Sequence, residues 1–192
     1  MKRAAAIEAV VFLGLVVVGV LSRVTFLTPP NFHAVAAAAL FAGFFFRSSV
    51  VALAVPTVSM MISDAMIGGH APLVMATVYA ALAAPVAWRC LLHKKLTAGR
   101  VGLGALSASV LFFLTTNLAA WPTLYPTTTA GLAHAYTAAV PFFQWTLAGD
   151  LCYSALFFGA YALVTSLAPD RSAIVANATT IEPLTADVAA AT

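Results

Sequence analysis

Charge is what this chain has least of. Lys, Arg, Asp and Glu make up 8% of its 192 residues, against about 25% in soluble domains. So few charges cannot cover a fold in water. A mean hydropathy of +1.00 points instead to lipid as the solvent for most of the chain. Cysteine is scarce as well. Cys90 and Cys152 lie in or beside apolar runs without paired spacing, which favours packing roles over a disulfide or a thiolate metal site. No repeat of fixed period is present. The formal charge of +3 carries no nucleic-acid signal, because the basic residues sit at segment ends, and no nucleic-acid partner is expected.

What is present is a series of apolar segments. Lys2 and Arg3 precede a first run, residues 4–23, that ends at Leu21-Ser22-Arg23. A signal peptide opens the same way, but no small-x-small cleavage site closes the run, so a retained helix is expected. Ala5 and Ala9 form a small-xxx-small pair on it that lets another helix approach closely. Pro29-Pro30 breaks the chain, and Asn31 can cap the next helix. Five more helices are expected at residues 32–46, 49–66, 71–92, 101–121 and 142–167. The second is short, and its alanine-rich run Ala34 to Ala42 suits burial against neighbours. The fold class expected is an all-α membrane protein, six transmembrane helices in a compact bundle over residues 1–167, with a long outer loop between helices five and six. Residues 168–192 read as a flexible cytoplasmic tail.

Lys and Arg set the orientation. With the N-terminus in the cytoplasm, Lys2, Arg3, Arg47, Arg89, Lys94, Lys95, Arg100 and Arg171 fall inside and only Arg23 outside. Both termini are therefore expected in the cytoplasm of a bacterial inner membrane protein.

That topology gathers the unusual polar residues towards the outer face. Asn31 and His33 begin helix two. Asp64 is near the outer end of helix three, Tyr79 two turns into helix four, Asn117 near the outer end of helix five, and Asp150 two turns below the outer end of helix six. His70, Tyr125, His134 and Tyr136 fall in outer loops. The stretch Trp121 to Asp150 has no Lys, Arg or acid before Asp150 but is rich in Thr, Tyr, Trp, His and Pro, and is expected to form the lid and wall of an outward-facing site. Thr146, Asp150 and Tyr153 share a helix face, as do Phe113, Asn117 and Trp121. Rings beside amides, carboxyls and hydroxyls suit a flat polar organic ligand. The ligand-binding residues expected are Asn31, His33, Asp64, Tyr79, Asn117, Trp121, Tyr125, Phe143, Trp145, Thr146, Asp150 and Tyr153.

Other readings of the same residues stand beside this one. Asp64, Asn117 and Asp150 could hold helices together, and Trp121, Trp145 and Tyr125 could be interface-belt aromatics. An intramembrane enzyme would use Asp64 and Asp150 as a carboxylate pair, but no GxGD-type or HExxH-type motif and no local Ser/His pairing is present. No two histidines have i, i+3 or i+4 spacing, so no metal site, cofactor or catalytic residue is assigned.

The segments TPPNFHAVAAAALFAGFFF, PTVSMMISDAMIG, FFLTTNLAAW and GLAHAYTAAVPFFQWTLAGDL resemble a family of uncharacterised bacterial integral membrane proteins over roughly residues 20–165. Asn31-Phe32, Ser63-Asp64, Thr116-Asn117, Pro141-Phe142-Phe143 and Gly149-Asp150 carry that resemblance. The layout is also similar to the substrate-binding S-components of energy-coupling-factor (ECF) vitamin transporters. That likeness implies an outward ligand pocket for a small vitamin-like molecule, and an ECF coupling subunit with its ATPases as partners. It also implies a docking patch on helix one, which Ala5 and Ala9 match. The alternative is a non-transport scaffold or assembly subunit whose polar residues are structural.

Overall fold

The computed structural model describes residues 2–25, 29–69 and 71–167. The tail at 168–192 and His70 lie outside the described residues. Among those described there are only helices: α1 (Lys2–Val24), α2 (Val35–Phe45), α3 (Ser49–Ile67), α4 (Pro72–Ala83), a 3-10 segment (Ala84–Trp88), α5 (Arg89–Lys94), α6 (Ala98–Leu124) and α7 (Thr129–Leu167). Five spans are long and apolar enough to cross a membrane: Ala4–Val24, Ser49–Ile67, Pro72–Lys94, Ala98–Leu124 and Thr129–Leu167. The chain has the helices of a membrane protein.

Local chemistry explains the boundaries. The Ser48 hydroxyl accepts the Val51 amide at 3.4 Å and starts α3, and Thr97 does the same for α6 at 3.3 Å from the Arg100 amide. Gly68 ends α3 at φ 88, a left-handed conformation that glycine adopts without strain. Pro72 opens α4, where its missing N–H costs nothing. Pro85 interrupts the fourth span, which passes through the 3-10 segment before resuming as α5.

The fold is built around α2. At 11 residues it is about 16 Å long, roughly half the hydrocarbon thickness of a bilayer. Ala37, Ala38, Ala39, Leu40 and Ala42 are all at 0–1% exposure, so it is apolar all round and enclosed all round. It packs against α1, α3, α4, the 3-10 segment, α5, α6 and α7. Small residues permit this. A Cβ on Gly43 would lie 2.6 Å from the Val86 carbonyl oxygen, and one on Gly104 of α6 would lie 3.1 Å from Leu40. An aromatic cluster locks α2 to α7: Phe41 meets Phe158 edge-on at 5.1 Å and Phe44 meets Tyr161 at 5.2 Å. At this end Arg89 clamps the α2–α3 turn, donating to Ser49 Oγ (2.6 Å) and to the carbonyls of Phe46 (3.2 Å) and Arg47 (3.0 Å).

Two expectations are corrected. Helix two begins at Val35 rather than residue 32; the expected all-α bundle is present, with five helices of spanning length among the described residues and α2 as a shorter apolar one. The long outer loop is replaced by helix. α6 continues to Leu124, α7 starts at Thr129, and the connection is four residues, 125–128. The Thr128 hydroxyl accepts the Gly131 amide at 3.1 Å and caps α7. Pro141 then sits inside a 39-residue helix, about 58 Å long, where neighbouring α6 supports the interruption.

Candidate functional site

At the end of the bundle marked by Arg23, opposite Arg89, lies a cavity of about 310 Å³. Arg23 supplies one wall from the last turn of α1, and Asn31 and His33 line it from the α1–α2 loop. Val35 and Ala36 at the start of α2 also face it, with Met60 and Asp64 of α3. Val74, Val78 and Leu82 of α4 and Phe112 of α6 give an apolar side. Thr116 and Asn117 of α6 and Thr146 and Asp150 of α7 give a polar one.

The end of the α1–α2 loop at His33 and Ala34 is tied to α1. Ser22 Oγ accepts the Ala34 amide at 3.0 Å and donates to the Gly19 carbonyl at 2.9 Å. His33 Nδ1 is 3.0 Å from the Ser22 carbonyl. A carbonyl can only accept, so Nδ1 carries the proton and Nε2 is an acceptor. Burial pushes the His33 imidazole below its ordinary pKa; the bond to Ser22 pulls the other way, and the nearby Arg23 charge pushes it down further. Asn31 takes φ 70, a left-handed conformation that Asn tolerates better than most residues. The loop lies directly on α7: a Cβ on Gly149 would be 3.1 Å from the His33 amide and 3.2 Å from Phe32 Cα.

Two acidic groups face the cavity in different states of pairing. Asp64 Oδ1 forms a 2.8 Å ion pair with Arg23 Nη2, with the two side chains 9% and 11% exposed. Its Oδ2 accepts from the Tyr79 hydroxyl at 2.9 Å. Arg23 Nη1 donates to Ser63 Oγ at 2.6 Å and lies 2.8 Å from Met60 Sδ. Asp64 is thus fully engaged. Asp150, 3% exposed, has one partner among the described residues, Ser109 Oγ, 2.6 Å from its Oδ2. No cation among the described residues pairs with it. The two carboxyls line one cavity and are engaged by different partners.

Of the residues singled out in the sequence, Asn31, His33, Asp64, Asn117, Thr146 and Asp150 line this one cavity. Tyr79 is outside the lining and donates its hydroxyl to Asp64. Phe143 lines an adjoining cavity of about 140 Å³ that shares Asn31, Asn117 and Thr146. The remaining four stand elsewhere. Trp121 Nε1 donates to the Pro126 carbonyl at 2.9 Å, pinning the α6–α7 turn. Tyr125 packs on His134 with ring centroids 5.2 Å apart. Trp145 is 39% exposed and outside the lining. Tyr153 packs on Phe32 at 5.6 Å. The sequence suggests a lining or covering role for Trp121, Tyr125 and Trp145 because residues 121–150 have the composition of a folded-over lid, and for Tyr153 because it shares a helix face with Thr146 and Asp150. A continuous α7 instead carries Trp145 and the His134 partner of Tyr125 away from the cavity. Sequence reasoning misses the apolar wall and Thr116, and among the charged lining residues it misses Arg23. A signal for it exists: in the expected topology it is the lone outer Lys or Arg, at the same end of the bundle as an intramembrane acid that needs a counter-ion. Cys90 and Cys152 are free and exposed.

The sequence matches the family of unknown function DUF6580 over residues 3–172, and the chain belongs to that family. No curated protein and no solved structure matches it.

Proposed function

We propose that this chain is a substrate-binding membrane protein that captures a small vitamin-like organic molecule at the outer face of a bacterial inner membrane. The observation that carries this reading is the single cavity onto which His33, Asp64, Asn117 and Asp150 converge from four separate elements. Its volume falls within the range of small-molecule pockets, about 300–1,000 Å³. Its make-up is that of a ligand site, a mostly apolar wall with a few convergent polar groups. The role is binding and transport rather than catalysis. Both described ends of the chain lie at the Arg89 end, and the excess of Lys and Arg there favours the cytoplasmic side for it.

The likeness to ECF S-components rests on the sequence layout. It extends the reading to a coupling subunit with ATPases, docking over Ala5 and Ala9. Both of these residues are exposed on α1, which is compatible with a helix lying against them.

A structural role is favoured for one member of the set. Asp64 has both oxygens occupied by Arg23 and Tyr79, so it holds α1, α3 and α4 together whether or not a ligand is present.

The test is ligand co-purification. Protein extracted gently from membranes and analysed by mass spectrometry is expected to release a small organic molecule, and cells carrying Asp150→Ala are expected to lose its uptake. Empty protein against a vitamin panel, with uptake intact in the variant, would sink the proposal.

A further inference from the structure

Counted with both carboxyls ionised, the charges around the cavity do not balance, and the excess has one sign. Arg23 and Asp64 cancel each other in their 2.8 Å pair. Burial keeps His33 in its neutral form at neutral pH. That leaves the Asp150 carboxylate, 3% exposed, on the cavity wall with Ser109 as its only partner among the described residues.

Several strong acceptors on the wall also lack a donor. His33 uses its N–H on Ser22, leaving the Nε2 lone pair. Asn117 spends one N–H on the Phe113 carbonyl at 2.7 Å, leaving its amide oxygen and its second N–H. The strongest donor on the wall, Arg23, is spent on Asp64 and Ser63. What is unspent includes the Asp150 carboxyl, His33 Nε2 and the Asn117 amide oxygen as acceptors, beside the amide N–H groups of Asn31 and Asn117. An unpaired carboxylate in a low-dielectric site is costly, and a ligand that brings the missing positive charge removes the cost. An anionic ligand would meet the same carboxylate as repulsion.

We infer that the ligand is an organic cation, an apolar and partly flat body bearing one protonated or permanently charged nitrogen that pairs with Asp150. The inference rests on the proposed binding role and narrows its substrate class. The apolar side, Val74, Val78, Leu82 and Phe112, takes the body, and Asn117 and His33 accept from its N–H groups.

Three indole compounds of nearly equal shape test this on the purified full chain in detergent: tryptamine (cation), tryptophol (neutral) and indole-3-acetate (anion). Binding measured by calorimetry or thermal shift at neutral pH is expected to rank tryptamine first, by about tenfold over tryptophol, the ratio one charge-assisted hydrogen bond supplies. Asp150→Asn, which keeps size and can still bond Ser109, is expected to bring the two together. Ser109→Ala, which keeps the carboxylate, is expected to preserve the order. Tryptophol binding as tightly as tryptamine, the behaviour of a protonated Asp150, or acetate binding best, overturns the cation assignment and leaves the binding role standing. If none of the three binds, and a wider panel of matched cations also fails, the binding role falls and the assignment with it.

Discussion

Arg23 at the end of α1 and Asp64 in α3 are joined by a 2.8 Å ion pair, nine-tenths shielded from outside, and Tyr79 brings α4 to the same carboxylate. Three spans therefore meet at one charge pair on the rim of the cavity. Removing one partner strands the other in a low-dielectric wall, whereas removing both does not. Arg23→Met alone is expected to cost about 3 kcal/mol of stability, and Arg23→Met with Asp64→Leu much less. Thermal unfolding in detergent reads both. Equal losses from the single and double variants would mean the pair is not a buried unit.

Gly149 sets how closely the α1–α2 loop approaches α7. A methyl group there meets loop backbone, which has no rotamer to yield. Gly149→Ala is expected to destabilise by about 1–3 kcal/mol and to weaken ligand binding, because His33 and Asp150 are displaced together. Unchanged unfolding and binding would show the loop to be more loosely seated than its distances imply.

Trp121 tests the corrected account of residues 121–150. Its indole N–H staples the four-residue turn through Pro126 and stands away from the cavity. Trp121→Phe is expected to lose about 1 kcal/mol or less and to leave ligand affinity unaltered. A binding defect of tenfold or more in this variant would restore the lid reading.

His33 gives a pH dependence with a definite sign. Its folded-state pKa lies below the ordinary 6.5, so between the two values the unfolded chain binds more protons than the folded one. Stability then rises with pH through that window and is lost as pH falls through 6.5 towards the folded value. Arg23, Asp64 and Asp150 are the other ionisable groups on the same cavity. His33→Gln is expected to flatten the slope of melting temperature between neutral pH and about pH 5. A slope that survives in His33→Gln belongs to another group.

Much of this is legible in the residues. The Ala34 to Ala42 run announces an enclosed helix, because side chains that small let seven elements crowd one axis. The gathering of His33, Asp64, Asn117 and Asp150 at one end of the bundle emerges from alternating the direction of successive helices. The α6–α7 hairpin is not legible. Pro122, Pro126 and Pro141 with the Thr-rich stretch carry the composition of a loop in water. In a bundle, packing against a neighbouring helix lets Pro122 and Pro141 stay inside helices. Only Pro126 marks the turn, with Gly131 so near it that a Cβ would overlap the Pro126 carbonyl oxygen. Arg23 escapes notice for a different reason. A lone cation counts for little in a topology tally, and its pairing with Asp64, 41 positions away, is visible only once α1 and α3 are side by side.

The central claim is that the cavity beside Asp150 is a receptor site. Native mass spectrometry of the intact chain, released from mild detergent, tests it most directly. The wild type is expected to carry a small-molecule adduct that Asp150→Asn lacks at equal folding. Identical bare spectra for both, from protein that melts cooperatively, would contradict it.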